Sequence, residues 1–203
     1  MSNVTLNQEL INQTISFHGH WCPGLAIGIR AAEWALREMG KAPDEEIVTV
    51  VETDMCGVDA IQYLTGCTFG KGNLIHKDYG KNAFTFYRRK DGKAARLVAR
   101  PGIYEDTGET LGKLNRKMLE EGLTEEEEKV WQETRAAISK RIMEAALTDL
   151  FEVKTPIEPV PKKARILAPM VCESCGEAVM ETRTRHFGGQ LLCIPCFENR
   201  EKR

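Results

Sequence analysis

An α+β core followed by a small C-terminal four-cysteine zinc module is the architecture this sequence predicts, and three observations predict it. Apolar periodicity gives helices first, then strands, then helices again, without the regular alternation of a doubly wound sheet. Four of the eight prolines, Pro156, Pro159, Pro161 and Pro169, fall close together and mark a stiff linker. Beyond them lie two C-x₂-C pairs at zinc-finger spacing. These features divide the 203 residues into a core over 1–152, a linker over 153–170 and a four-cysteine zinc-ribbon or treble-clef domain over 171–203.

Leu6, Leu10, Ile11 and Ile15 share one helical face leading into His18. Pro23 suits the first turn of a second helix, which runs to about Met39 and stops at Gly40. Gly24, Gly28, Ala31 and Ala35 form a small-residue stripe along it, which allows close packing, including against a second copy of the chain. Ile47–Thr53 is β-branched and reads as a buried strand, and a short helix over Gly57–Leu64 follows. Ala83–Arg89 and Ala94–Arg100 read as a hairpin around Asp91-Gly92. Two acidic-start helices come next, with capping-box spacing at Asp106/Glu109 and Thr124/Glu127. A short strand is expected around Arg165–Leu167.

Composition excludes several classes. Apolar residues at 42% and charged residues at 29% are a globular balance. The longest uncharged stretch, Leu10–Ile29, contains Asn12, Gln13, His18, His20 and Pro23 and is no membrane span. Met1–Thr5 has neither a basic nor an apolar leader region, so a cytoplasmic location is expected. The net charge is −2, with residues 1–152 at −5 and 153–203 at +3, too mild an asymmetry for a nucleic-acid tail. Seven cysteines in a reducing compartment favour metal or thiol chemistry over disulfides.

Cys172, Cys175, Cys193 and Cys196 form the two pairs, seventeen residues apart. Zinc takes four thiolates tetrahedrally, each C-x₂-C turn supplies two of them, and a module this small needs such a staple. A rubredoxin-like iron site or a redox pair would use the same ligands. Ala178–Arg185 and Phe187–Leu192 fit a hairpin about Gly188-Gly189, and Phe197–Lys202 fits a helix. Residues 171–203 hold five basic and five acidic side chains, so protein contact is favoured over nucleic acid for this module, despite Arg183, Arg185, His186 and Phe187.

The remaining cysteines gather with histidines near the N-terminus. His18, His20 and Cys22 lie within five positions just before a helix, where a thiolate gains from the helix dipole. His-x-His-x-Cys offers mixed nitrogen and sulfur ligands for zinc or another transition metal. The preferred set is His20, Cys22 and Cys67, with His18 and Cys56 next, and an open position would then permit catalysis or sensing. Cys67 sits in a glycine-rich loop where Gly70, Lys71 and Gly72 weakly suggest an anion nest. The loop is no P-loop, since Gly72 stands where Ser or Thr should bind magnesium. Lys71, Lys81 and Tyr87 are further candidates for contact with an anionic or cofactor-like ligand.

Three segments carry a resemblance: Phe17 through Gly28, Asp59 through Leu74, and Asp78 through Phe84. Together they resemble the FmdE family, named for a component of formylmethanofuran dehydrogenase, over about residues 14–100. The resemblance implies an α+β core forming an intertwined homodimer, a C-terminal treble-clef zinc finger in some members, and a metal-containing site lined by His18, His20, Cys22, Cys56 and Cys67. It also implies a link to anaerobic one-carbon metabolism and to molybdopterin-enzyme subunits as partners. No ferredoxin-type C-x₂-C-x₂-C-x₃-C-P run occurs, so the chain carries no electron relay of that kind. The expected role is therefore a metal-binding, dimeric accessory protein. A transcriptional regulator or metal sensor contacting nucleic acid or protein through the finger is the alternative, and an enzyme with its own open metal site ranks third.

Overall fold

The computed structural model describes residues 6–41, 46–104 and 108–202. The N-terminal residues 1–5 and the first residue of the Asp106/Glu109 pair lie outside them. Contacts divide the chain into two compact units, Met1–Lys163 and Ala164–Arg203, each described in turn.

The first unit opens with α1 (Gln8–His18), whose N-terminus is closed by the Asn7 side chain accepting from the Leu10 amide at 2.9 Å. It ends at Gly19, whose φ of 93° is the left-handed cap that glycine supplies without strain. Helix α2 (Pro23–Met39) begins with Cys22 as its N-cap and stops at Gly40, as the sequence predicts. Leu25, Ala26, Ile29, Ala32 and Leu36 are all buried, so α2 is enclosed nearly all round and forms the axis of the core. Next come β1 (Ile47–Val51), α3 (Gly57–Thr65), β2 (Leu74–His76), β3 (Ala83–Arg88) and β4 (Ala94–Ala99). A helical hairpin follows, α4 (Gly108–Glu120) and α5 (Glu125–Glu144), with the Thr124/Glu127 capping box formed in both directions. The unit's last elements are α6 (Leu147–Leu150) and β5 (Phe151–Lys154).

Five strands make one sheet in the order β2-β1-β3-β4-β5, with β1 and β2 parallel and the other pairs antiparallel. Strands β2 and β5 were not among the sequence expectations. Three residues are too few to show a period, and Phe151–Lys154 straddles the boundary expected between core and linker at 152/153. Side chains alternate across the sheet. Phe84, Phe86 and Leu97 join the helices in the main core, whereas Val48, Val50 and Tyr87 cluster on the opposite face.

The small-residue stripe of α2 finds its partner inside this chain. A Cβ at Gly28 would stand 2.1 Å from the Gly57 carbonyl oxygen and 2.4 Å from its Cα, so α2 and the start of α3 touch backbone to backbone. Packing of Gly24 and Gly28 thus belongs to α3 and needs no second copy.

The second unit pairs β6 (Pro169–Val171) with β7 (Ala178–Met180), and β8 (Thr184–Phe187) with β9 (Gln190–Cys193) about Gly188-Gly189, ending in α7 (Ile194–Glu201). The order is knuckle, hairpin and helix, that of a treble clef. Two expectations change here. The strand expected at Arg165–Leu167 lies instead at Pro169–Val171, and Ala178–Arg185 is two strands with a 3-10 turn between them, because β7 pairs back onto β6. None of the described helices is long and apolar enough to cross a membrane.

Candidate metal centres

In the second unit the ligand atoms of Cys172, Cys175, Cys193 and Cys196 lie within 4.8 Å of one another. Zinc–sulfur bonds near 2.3 Å at tetrahedral angles put sulfurs about 3.8 Å apart, and Cys175 and Cys193 are 3.9 Å apart. The Cys193 amide donates to the Cys172 sulfur at 3.3 Å. Amide hydrogen bonds from Cys175 and Cys193 hold the Cys172 thiol down at about 6, which favours the thiolate a metal needs. Among the described residues, only Leu192 and two of the cysteines are buried in this unit's own core, too little apolar burial to hold it without a staple.

The first unit has its own cluster. His18 at the end of α1, His20 in the following turn, Cys22 capping α2 and Cys56 at the start of α3 bring their ligand atoms within 4.8 Å of one another. Each is placed by a local device: the Gly19 cap turns the chain after His18, Pro23 starts α2 beside Cys22, and the Gly28–Gly57 contact lays Cys56 against both. A Cβ on Gly24 would sit 3.4 Å from Cys56 Cβ and 4.0 Å from Cys22 Sγ, so glycine also leaves the thiols their room.

His18 is held in one orientation. Its Nδ1 lies 2.7 Å from Asp59 Oδ2, which makes Nδ1 the donor. The other ring nitrogen, Nε2, is buried and has no hydrogen-bond partner among the described residues. An orphaned buried acceptor costs free energy unless something occupies it, and a carboxylate behind an imidazole is the usual support of a metal-bound histidine. The His18 and His20 rings are 4.4 Å apart. Burial, then the nearby His18 and Arg135, holds the His20 imidazole below its ordinary value, keeping it neutral and available as a ligand. Burial, then the adjacent Cys22 thiol, pushes the Cys56 thiol up.

Cys67 corrects the preferred ligand set. It is fully buried and its Sγ lies 3.4 Å from the Ile47 carbonyl oxygen, to which it donates, outside the cluster. The thiol that joins His20 and Cys22 is Cys56, and His18 completes the group. Nothing in the order of residues distinguishes Cys56 from Cys67, since both follow or precede the same short helix. Around Gly70, Lys71 and Gly72 several backbone amides are spent within the chain. Amides of Cys67, Thr68, Phe69 and Gly72 are already bonded to Thr65, Asn73, Gln62 and Phe69 of the chain itself.

Fold and site together define a mixed helix-and-sheet core with an imidazole–thiol cluster, joined to a C4-type zinc finger. The chain belongs to the FmdE family: the family model, described as "FmdE, Molybdenum formylmethanofuran dehydrogenase operon", matches residues 17–152. A second model, the prokaryotic dksA/traR C4-type zinc finger, matches residues 166–202 and, with the four converging thiols, supports a structural zinc. A crystal structure of an FmdE-like protein of tungsten formylmethanofuran dehydrogenase from Syntrophus aciditrophicus superposes with a TM-score of 0.62 at 23% identity, covering 100% of this chain and 98% of that one. The chain is also 34% identical over 200 residues to a probable S-adenosyl-L-methionine-binding protein of Archaeoglobus fulgidus. That match covers 93% of this chain and 52% of the relative, so the chain spans about half the relative's length.

Proposed function

We infer that the core is a metal-binding module, with His18, His20, Cys22 and Cys56 as its ligands, in a dimeric accessory protein serving anaerobic one-carbon, molybdopterin-dependent metabolism in the cytoplasm. The observation that carries the metal site is the buried Nε2 of His18, without a partner while Asp59 holds the opposite nitrogen. Two imidazoles and two thiols suit zinc or another borderline-soft divalent ion. A bound ion there supplies Lewis-acid polarisation. The chain's own residues do the positioning, with Asp59 orienting His18 and the α2–α3 contact holding Cys56 to Cys22. His20 is the exposed member of the four, and hence the ligand an incoming molecule can reach or replace.

Family membership supports the metabolic link, through the operon named in the family description. The finger favours a protein partner. Pro169, Val171, Ala178 and Met180 share one face of the β6–β7 ribbon and are all exposed, an apolar surface unsuited to phosphate.

Elemental analysis of the 203-residue chain tests the metal reading. Two metals per chain are expected, falling to one in Cys22→Ser and in Cys56→Ser. A single metal in the wild-type chain, lost only on mutation of Cys172 or Cys193, overturns the core site. Sedimentation and co-purification with pterin-enzyme subunits test the dimer and the partner separately.

A further inference from the structure

The sheet face turned away from the helices carries a site of different chemistry. Register places Val50, Thr85, Arg96 and Lys154 in one row across β1, β3, β4 and β5. Over that row lies a cavity of about 320 Å³, at the small end of the range for ligand pockets.

Its floor is already satisfied. Glu52 takes Nε and Nη2 of Arg96 at 2.6 and 2.7 Å, a two-pronged pair whose carboxylate side chain is only 8% exposed. Removing that neutral pair leaves three lysines on the cavity wall, Lys77, Lys81 and Lys154. Two of them are matched: Glu158 sits on Lys77, and the neighbouring Glu152 pairs with Lys154 at 2.9 Å. Lys77 and Lys81 stand 5.9 and 5.8 Å from the centre of the same Tyr79 ring, two ammonium groups gathered on one aromatic. Lys81 has no carboxylate partner among the described residues.

The remaining wall is a strap, Thr155–Glu158, folded back after β5. Polar contacts hold it: the Glu158 carboxylate on Lys77, the Glu158 carbonyl accepting from the Tyr87 hydroxyl at 3.2 Å, and the Pro161 carbonyl accepting from Arg89 at 2.6 Å. Ile157, its largest apolar side chain, is wholly exposed, so burial of that side chain does not fasten it. An exposed ion pair contributes little net stability, and the strap is accordingly displaceable. Glu158 places a carboxylate where an anion from solution would sit.

We propose that this cavity binds a small organic oxyanion, a carboxylate or a phosphate ester, received by Lys77 and Lys81, and that Glu158 is the internal competitor it displaces. Excess positive charge in a half-enclosed cleft concentrates anions, and the Tyr87 hydroxyl, once free of the strap, is a donor for a ligand oxygen. The site lies on the sheet face opposite the helices that hold His18 and Cys56, so it stands or falls independently of the metal cluster.

Calorimetric titration of the 203-residue chain with glycerol 3-phosphate and with succinate tests it. Neither probe is a strong zinc chelator. At least one is expected to bind, more weakly as salt rises, and whichever binds assigns the phosphate or the carboxylate class. Glu158→Gln should tighten binding about threefold to fivefold, the range an exposed ion pair permits. Lys81→Glu should abolish binding without shifting the thermal midpoint, because Lys81 is exposed and makes no ion pair that its loss would break. The proposal is overturned if neither probe binds Glu158→Gln at about 10 mM, or if Lys81→Glu binds as well as wild type.

Discussion

Replacing Gly28 by alanine tests how the core cluster is held together. The added methyl would lie 2.1 Å from the Gly57 oxygen, 2.4 Å from its Cα and 2.6 Å from its carbonyl carbon. Ordinary contact begins near 3.4 Å, so α2 and α3 must part by about 1 Å. Every obstructing atom is backbone, and no side-chain rotation relieves the overlap. Overpacking of this kind costs about 3 kcal/mol, at the upper end of its usual range. Alanine returns about 1 kcal/mol through helix propensity, leaving a net loss of about 2 kcal/mol. For a folding unit of this size that lowers the thermal midpoint by about 4–8 °C. Parting the helices also draws Cys56 from Cys22, so the variant should lose core metal as well as stability. Gly112→Ala in α4 is the control: nothing stands within 4 Å of its Cβ, and the change should stabilise by about 0.5–1 kcal/mol. Thermal unfolding by circular dichroism, with metal content on the same samples, reads both. A Gly28→Ala chain that melts within about 1 °C of wild type and keeps its metal would refute the close-contact argument.

The other perturbations act on single groups. Asp59→Asn should weaken core metal binding about 10–100-fold while the zinc finger stays loaded, as read by competition with a colorimetric chelator; unchanged affinity would mean that Asp59 does not orient His18. Cys67→Ala should cost about 1 kcal/mol and leave metal stoichiometry unaltered, whereas loss of a metal would restore Cys67 to the ligand set. Arg96 beside Glu52 holds that carboxyl below the usual carboxylate range. A depressed carboxyl contributes stability above its unfolded value, about 4.3, and that contribution fades as pH falls through the lower folded value. Glu52→Gln, which leaves a half-buried guanidinium unpaired, should therefore cost about 2 kcal/mol near neutral pH. Its gap from wild type in urea titrations should narrow only below about pH 4; a constant gap down to pH 3 would refute the linkage.

Much of this molecule is local and was readable from short stretches of chain. Pro23 and Gly40 bound α2, Thr124 and Glu127 close the start of α5, and Asp91-Gly92 turns β3 into β4. The zinc finger was legible because its ligands come in pairs three residues apart, and each turn aims two thiols at one point. The edges of the sheet were not legible: β2 has three residues, and β5 exists because β4 offers it Arg96 through Ala99 as partners. Alternation on β1, β3 and β4 likewise shows two faces but not which one gathers the lysines. That follows from Lys77 and Lys81 arriving by one loop and Lys154 by the far edge strand.

Composition placed five residues in contention for the core cluster, and capping chemistry put Cys22 at a helix start. Choosing Cys56 over Cys67 lay beyond the sequence, because both flank α3 and both are compatible with burial. The choice is made where Gly28 meets Gly57. That backbone contact slides Cys56 over Cys22 and leaves Cys67 on the Ile47 carbonyl at the other end of the same helix. Caps, turns and C-x₂-C pairs act through neighbours along the chain, so sequence alone determines them. A site assembled from three helices depends on how closely two of them approach, and only tertiary packing decides that distance.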